Sequence, residues 1–256
     1  MCGANLLHWH VTRMLKVAAL DELVVAIPNT ADNDRIAEYC RRRSWPCWRG
    51  PEDDVLARYH GAAVAYQADV VVRTTADCPL IDPGVVAGAI NLYQTGEFDY
   101  VSNNLERTFP HGLDVEVFSM DALVAAMLQS TDCFEREHVT EWILRHQDNP
   151  YRLGNLRYPI EEQPPNYQHI LRNARLTVDY PEDYLAITAI FQFWARETRH
   201  ITTADVVWLL DQVPEIMQLN QQRAIDHAQL LAGHYEPISV EQRDALRQAT
   251  KDALKG

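Results

Sequence analysis

At 256 residues, 47% hydrophobic and 23% charged, the chain has the composition of a folded protein, most economically one α/β domain with a small helical or arm-like appendage. The formal net charge of −13, from 36 acidic and 23 basic residues, disfavours nucleic acid and anionic membranes as partners. Small-molecule chemistry remains, with an anionic ligand held by a few converging arginines and a divalent cation. The five cysteines, Cys2, Cys40, Cys47, Cys78 and Cys133, are scattered and form no Cys-x-x-Cys pair, so neither a disulfide framework nor a zinc site is expected. No apolar run approaches the length of a membrane span and no signal-peptide layout opens the chain, which predicts a cytoplasmic protein without membrane contact.

Residues 6–17 have helical periodicity, with Leu7, Val11, Met14 and Leu15 on one face. His8 and His10 point to different sides of such a helix and are not read as metal ligands. Residues 23–27 read as a strand, 33–43 as a helix, 44–49 as a short strand and 55–66 as a helix capped by Asp53 or Asp54. Arg58, one turn further, faces either a pocket or solvent. The run 69–72 reads as a buried strand of a parallel sheet, and Asp77 follows its C-terminal end, where ligands bind in open α/β sheets. No helix starts beside Asp77, so a functional role competes there with that of a turn former. Asp82, just before Pro83, reads as the N-cap of a helix over 83–95.

Residues 98–102 read as a further strand, ending at Asn103 and Asn104. From Leu113 to Phe118 polar and apolar residues alternate, so Asp114 and Glu116 share one strand face, lining a pocket or facing water. Helices are predicted over 121–129 and 134–146. In the second, His138 and Glu141 stand three apart, but Trp142 occupies the position where a zinc-hydrolase pattern needs histidine. The proline-rich stretch 150–165 reads as an arm or a β excursion. Residues 175–179 read as a second strand ending in a carboxylate, with Pro181 opening a helix to about residue 197. Two strand-end carboxylates, Asp77 and Asp179, converge on one divalent cation if their strands are near neighbours. Glu182 and Asp183 suit the dipole of the following helix. The remainder is helical, with a charged final helix from residue 240, and no glycine-rich phosphate loop occurs anywhere.

Six stretches, in this order, carry a resemblance. They are Gly50-Pro-Glu-Asp-Asp-Val-Leu-Ala-Arg-Tyr59, Val72-Arg-Thr-Thr-Ala-Asp-Cys-Pro-Leu-Ile-Asp82, Asp99-Tyr-Val-Ser-Asn103, His111-Gly-Leu-Asp-Val-Glu-Val-Phe118, Arg136-Glu-His-Val-Thr140 and Leu176-Thr-Val-Asp-Tyr-Pro-Glu-Asp183. The chain resembles the cytidylyltransferases of the spore-coat polysaccharide type, relatives of the synthetases that make CMP-activated Kdo and CMP-sialic acid. The resemblance implies a Rossmann-like nucleotidyltransferase fold, similar to glycosyltransferase A. That is a three-layer α/β sandwich with a mostly parallel sheet over residues 1–200, followed by a C-terminal helical extension over 201–256.

The same resemblance implies transfer of CMP from CTP to a sugar or sugar acid with release of pyrophosphate, in polysaccharide biosynthesis. Mg²⁺ is the implied cofactor, and the assembly is left open, with a homodimer among the expectations. By this likeness Asp77 and Asp179 hold the metal and act with Arg73 in catalysis, while Asp114, Arg136, His138 and Asn103 bind substrate. Family members begin with a strand and a loop of the type Gln-Ala-Arg-x-Gly-Ser-x-Arg-Leu-Pro-Gly-Lys. Here Asn5-Leu-Leu-His-Trp-His-Val11 resembles the helix after that loop, and Ala76 stands where glycine is usual. The expectation is therefore a chain without its main anion-binding element and with impaired CTP binding. The competing functions are a nucleotide-sugar-dependent glycosyltransferase, against which the lack of a second aspartate after Asp77-Cys78 counts, and a non-catalytic binding or assembly relative.

Overall fold

The computed structural model describes residues 1, 3–145, 150–195, 200–234, 245, 248–250 and 252. In chain order the elements are α1 (Leu6–Met14), β1 (Val25–Pro28), α2 (Asp34–Arg43), β2 (Cys47–Gly50), α3 (Val55–Ala65), β3 (Val70–Arg73), α4 (Pro83–Gln94) and β4 (Tyr100–Ser102). They continue with β5 (Glu116–Ser119), α5 (Met120–Gln129), α6 (Cys133–His138), α7 (Glu141–Arg145), β6 (Leu153–Asn155), α8 (Pro165–Asn173), α9 (Pro181–Phe193), α10 (Thr203–Gln212), α11 (Glu215–Gln218) and α12 (Gln221–His234). Local chemistry explains most of the boundaries. Asn5, Asp54, Asp82, Ser119, Asp132 and Thr202 each accept a hydrogen bond from a first-turn amide, and Pro83, Pro165 and Pro181 occupy first helical positions.

The fold class is α/β, with a mixed sheet in the order β3-β5-β4-β6. β5 runs antiparallel to both β3 and β4, while β4 and β6 are parallel. Alternation along these strands separates two layers. Val101, Val115 and Val117 pack with Met14, Val86 and Ile90 on the α1 and α4 side, whereas Tyr100 and Phe118 pack with Leu56, Leu123 and Ile143 on the α3, α5 and α7 side. A third cluster joins α8 to α11 to Leu80 and Leu113, so the helices beyond residue 200 share the core of the preceding chain. Among the described residues no helix is long and apolar enough to cross a membrane.

β1 and β2 form a separate parallel pair. Among the described residues β1 and β3 are not paired to one another, and a groove of about 880 Å³ runs between them. Val11 and Met14 of α1 and Tyr59 and Ala63 of α3 line its two sides. For this reason β3 departs from the expected buried parallel strand. Among the described residues its one partner is antiparallel β5, and Val70 is 42% exposed at the groove.

Two other expectations change, one pair of alternatives is decided, and one helix is added. The stretch 150–165 supplies β6, a strand of the main sheet. The helix expected over 134–146 breaks at Val139, whose φ of 66° lies in the left-handed half of backbone space, so His138 and Glu141 fall on different helices. Residues 175–179 form an extended segment and not a strand, tied by one parallel bridge from Arg175 to His111. Finally, α8 occupies residues that carried no predicted element. The charged helix expected from residue 240 lies largely outside the described residues, and the helix from Pro181, expected to run to about residue 197, ends at Phe193.

Gly112 permits the approach of the 175–179 segment. Its φ is 101°, and a Cβ there would stand 2.4 Å from the carbonyl carbon of Leu176 and 2.5 Å from the amide nitrogen of Thr177. Gly112→Ala is expected to cost about 3 kcal/mol, through backbone strain and forced separation of the two segments. Urea denaturation checks this; an unchanged midpoint would mean that the segments are not in such close contact.

Candidate active site

The loop from Thr74 to Asp82 leaves the end of β3 and is held from beneath by α1. His10, 5% exposed, bonds through Nδ1 to the Cys78 carbonyl at 2.9 Å and through Nε2 to the Thr74 hydroxyl at 2.9 Å. A carbonyl only accepts, so the proton sits on Nδ1 and Nε2 accepts from Thr74. Burial lowers the pKa of His10, which favours this neutral form. One turn further, Arg13 donates to the carbonyls of Ile81 at 2.6 Å, Leu80 at 3.2 Å and Ile201 at 2.6 Å. Asp82 closes the loop: Oδ1 caps α4 at the Gly84 amide, and Oδ2 accepts from both the amide and hydroxyl of Thr203 at 2.7 Å.

The extended 175–179 segment lies between this loop and the turn at His111. The Leu176 amide donates to the His111 carbonyl at 2.7 Å, and the Val178 amide to the Asp77 carbonyl at 2.9 Å. Thr177 Oγ1 then donates to Asp77 Oδ2 at 3.2 Å. Asp77 and Asp179 are thereby brought to one place by two backbone hydrogen bonds, not by a strand ladder.

Arg175, buried at its guanidinium, organises the neighbourhood. Its Nε donates to Asp183 Oδ1 at 3.0 Å, its Nη2 reaches Asp183 and Asp179, and its Nη1 lies 3.3 Å from His111 Nδ1. Burial pushes the Asp183 carboxyl up, but Arg175, Asn220 and the Asp179 amide outweigh it and hold its pKa below the ordinary range. Asp114 receives a two-pronged ion pair from Arg107, at 2.6 and 3.1 Å, and lies 3.9 Å from His111 Nε2. Arginine donates only, so His111 Nδ1 is the accepting nitrogen and its Nε2 carries the proton, facing Asp114. Burial drives the pKa of His111 down to about 4, against the opposing pull of Asp114. The His111 ring is stacked on His227 of α12, with centroids 4.5 Å apart.

The other residues singled out from sequence have different surroundings. Arg73 is paired with Glu116, a buried carboxylate that also accepts from the hydroxyls of Tyr100 and Thr140. Asn103 is fully buried and binds the Leu113 carbonyl at 2.8 Å and the Val115 amide at 3.0 Å, clamping the backbone on either side of Asp114. Arg136 grips Asp54 Oδ2 and the Ser130 carbonyl, tying α6 to the N-terminus of α3. His138 packs on Phe134, with ring centroids 4.2 Å apart. Arg58 turns onto the carbonyls of Pro51 and Glu52. Asp114 is thus linked to Asp179 through His111 and Arg175, with the Asp77 loop alongside, whereas Arg73, Arg136 and His138 are engaged elsewhere. Sequence reading set His10 aside as a metal ligand and passed over Arg13, Arg107, Arg175 and His227 as site residues; His111 stood only at the head of the 111–118 motif.

Comparisons with known proteins give the family and the fold in which these carboxylates stand. A model of the family described as cytidylyltransferase matches residues 1–229. The chain belongs to the cytidylyltransferase family. An uncharacterised protein of Methanocaldococcus jannaschii is 30% identical over 208 residues, 81% of this chain and 80% of its own length. The spore coat polysaccharide biosynthesis protein SpsF of Bacillus subtilis is 29% identical over 198 residues, 76% of this chain and 77% of its own length. A cytidylyltransferase structure from Leptospira borgpetersenii shares the fold, with a TM-score of 0.74 and 23% identity, over 84% of this chain and 87% of that one.

Two predictions test the electrostatics of this cytidylyltransferase. Glu116→Gln removes the charge that compensates buried Arg73 and is expected to cost about 3 kcal/mol; a denaturation midpoint equal to wild type would show that the pair contributes nothing. His111 has a folded-state pKa of about 4 against an ordinary 6.5, so the unfolded chain takes up the proton first. Stability should therefore rise with pH between those values and be lost as pH falls through them, by at most on the order of 3 kcal/mol from this group. His111→Gln should flatten that part of the profile, and an identical slope in the variant would refute the assignment.

Proposed function

We propose that this cytidylyltransferase transfers CMP from CTP to a hydroxyl of a sugar or sugar acid in the building of a polysaccharide, with Asp77 and Asp179 holding Mg²⁺. The observation that carries this reading is the pairing of the Val178 amide with the Asp77 carbonyl, which sets the Asp179 segment alongside the Asp77 loop. Family membership supports the CTP reaction, and the name of the Bacillus subtilis relative supports the polysaccharide setting.

The donor set suits the cation. Mg²⁺ prefers oxygen ligands and is usually held by one or two carboxylates, with phosphate and water oxygens completing its shell. Among the described residues no group of three or more His, Cys, Asp or Glu forms a metal cage, so two carboxylates would act with the triphosphate. When bound, the cation supplies positive charge against the transferring and leaving phosphates.

The reaction forms a bond from the acceptor oxygen to the α-phosphorus, breaks the bond from that phosphorus to the bridging oxygen of pyrophosphate, and releases the hydroxyl proton. Thr177 orients one oxygen of Asp77, while Arg175 restrains Asp179 from the buried side. Asp114 and the His111 Nε2–H, steadied by Arg107 and Arg175, present an acceptor and a donor to the polyhydroxyl substrate. Asn103 and His10 support these groups through the backbone without contact with substrate.

Asp77→Asn and Asp179→Asn should each lower Mg²⁺-dependent pyrophosphate release by about a hundredfold or more, with circular dichroism unchanged. The assay supplies CTP with a panel of glucose, N-acetylglucosamine and N-acetylneuraminic acid. Wild-type turnover in both variants would refute the metal assignment.

A further inference from the structure

α12 belongs to the helical end of the chain, yet one of its faces is built into the cleft. Asn220, Arg223 and His227 stand three, four and seven residues apart and so share that face. Asn220, 3% exposed at the start of the helix, donates to Asp183 Oδ1 at 2.8 Å and to the Arg175 carbonyl at 3.0 Å. Arg223 pairs with Glu182 at 3.2 Å, and its guanidinium lies 4.3 Å from the ring centroid of Tyr180. These contacts fix the helix on the same residues that hold Asp179. The third residue of the face, His227, lies with its ring 14° from parallel to His111.

His227 differs from the other two in one respect. Asn220 and Arg223 spend their polar groups on the protein, whereas neither ring nitrogen of His227 has a hydrogen-bond partner among the described residues, and the ring is half-buried. The His227 ring nitrogens are not among the buried atoms left without a partner, so they are open to water and to a substrate hydroxyl arriving beside His111. We propose that His227 is a specificity-determining residue for the acceptor, hydrogen-bonding a hydroxyl of the sugar while its ring face rests on His111. This rests on the reading of the Asp77 and Asp179 cleft as the site of transfer.

The electrostatics favour a sugar hydroxyl over a phosphate as the group bound. Burial, with Arg175 and Arg107 nearby, lowers the pKa of His227, so at neutral pH the ring is uncharged and offers one donor and one acceptor. Such a pair matches a hydroxyl, which both donates and accepts. Asp114 and Asp179 lie within electrostatic reach of the same ring and would repel an anion there. Selectivity follows from the same chemistry, since a site built to hydrogen-bond a substrate hydroxyl discriminates against analogues that lack it.

The test measures KM for the acceptor and for CTP, together with kcat, in pyrophosphate release. The acceptor is whichever of glucose, N-acetylglucosamine and N-acetylneuraminic acid gives the fastest release. His227→Ala should raise the acceptor KM about tenfold, with the CTP KM and kcat little changed. His227→Phe, which keeps a ring on His111 but has no ring nitrogen, should behave like alanine, and His227→Asn should recover part of the loss. A wild-type acceptor KM in His227→Phe would overturn the proposal by showing that the ring only packs. An equal rise in the acceptor and CTP KM values across all three variants would overturn it as well, because a disturbed helix affects both substrates. Failure of the underlying functional reading has a different signature, full turnover in Asp77→Asn.

Discussion

The cleft depends on how the backbone of the Asp77 loop is satisfied. A loop passing from β3 to a buried helix carries carbonyls away from water, and each needs a donor. His10 and Arg13, on adjacent turns of α1, provide them for Cys78, Leu80 and Ile81, while Asp82 reaches across to Thr203. Burial lowers the pKa of Arg13 to about 10, far enough above neutrality for the guanidinium to stay charged and keep all of its donors. Asp77 therefore projects from a loop pinned at both ends, and the 175–179 segment has a defined edge on which to lie.

Charge is distributed in the same spirit. The site has several carboxylates in a chain of net charge −13, and arginines paired with them offset their mutual repulsion. Arg107 neutralises Asp114, and Arg175 serves Asp183 and Asp179. Asp183 is wholly buried and receives the amides of Asp179 and Tyr180 as well as Asn220. Asp179, 46% exposed at its side chain, is the most exposed carboxylate of this network. The network thus combines an inner, satisfied pair with an outer carboxylate available for chemistry. The imidazoles of His111 and His227 are both disfavoured as cations, which suits a stacked pair beside two arginines.

Much of the architecture was legible locally. Capping residues, prolines at first helical positions and apolar periodicity give α1, α3, α4, α5 and α9 to within a few residues, because a helix satisfies its own backbone and its signals lie close in sequence. Strands were less legible, since a strand is completed by its neighbour. Residues 153–155 carry no pattern that marks them as a sheet strand, and they become one by pairing with β4. The reverse holds for 175–179, whose apolar run resembles a strand but finds only a bridge at His111. The break at Val139 is a positive-φ position in a β-branched residue, a conformation that no local propensity predicts.

The sequence by itself determined the α/β class, the family, most helix positions and the two carboxylates of the proposed metal pair, because these rest on periodicity, caps and contiguous motifs. Tertiary structure alone decided which polar residues are available. Arg73, Asn103 and Arg136 sit in recognisable motifs but are engaged with Glu116, with backbone and with Asp54, whereas His111, Arg175 and His227 come together from separate parts of the chain. It also decided that β1 and β3 border a groove and that α12 reaches the cleft. The physical reason is that a side chain's role depends on its partner, and partners here lie up to 188 residues away, as in Arg73 with Glu116 and Arg13 with the Ile201 carbonyl.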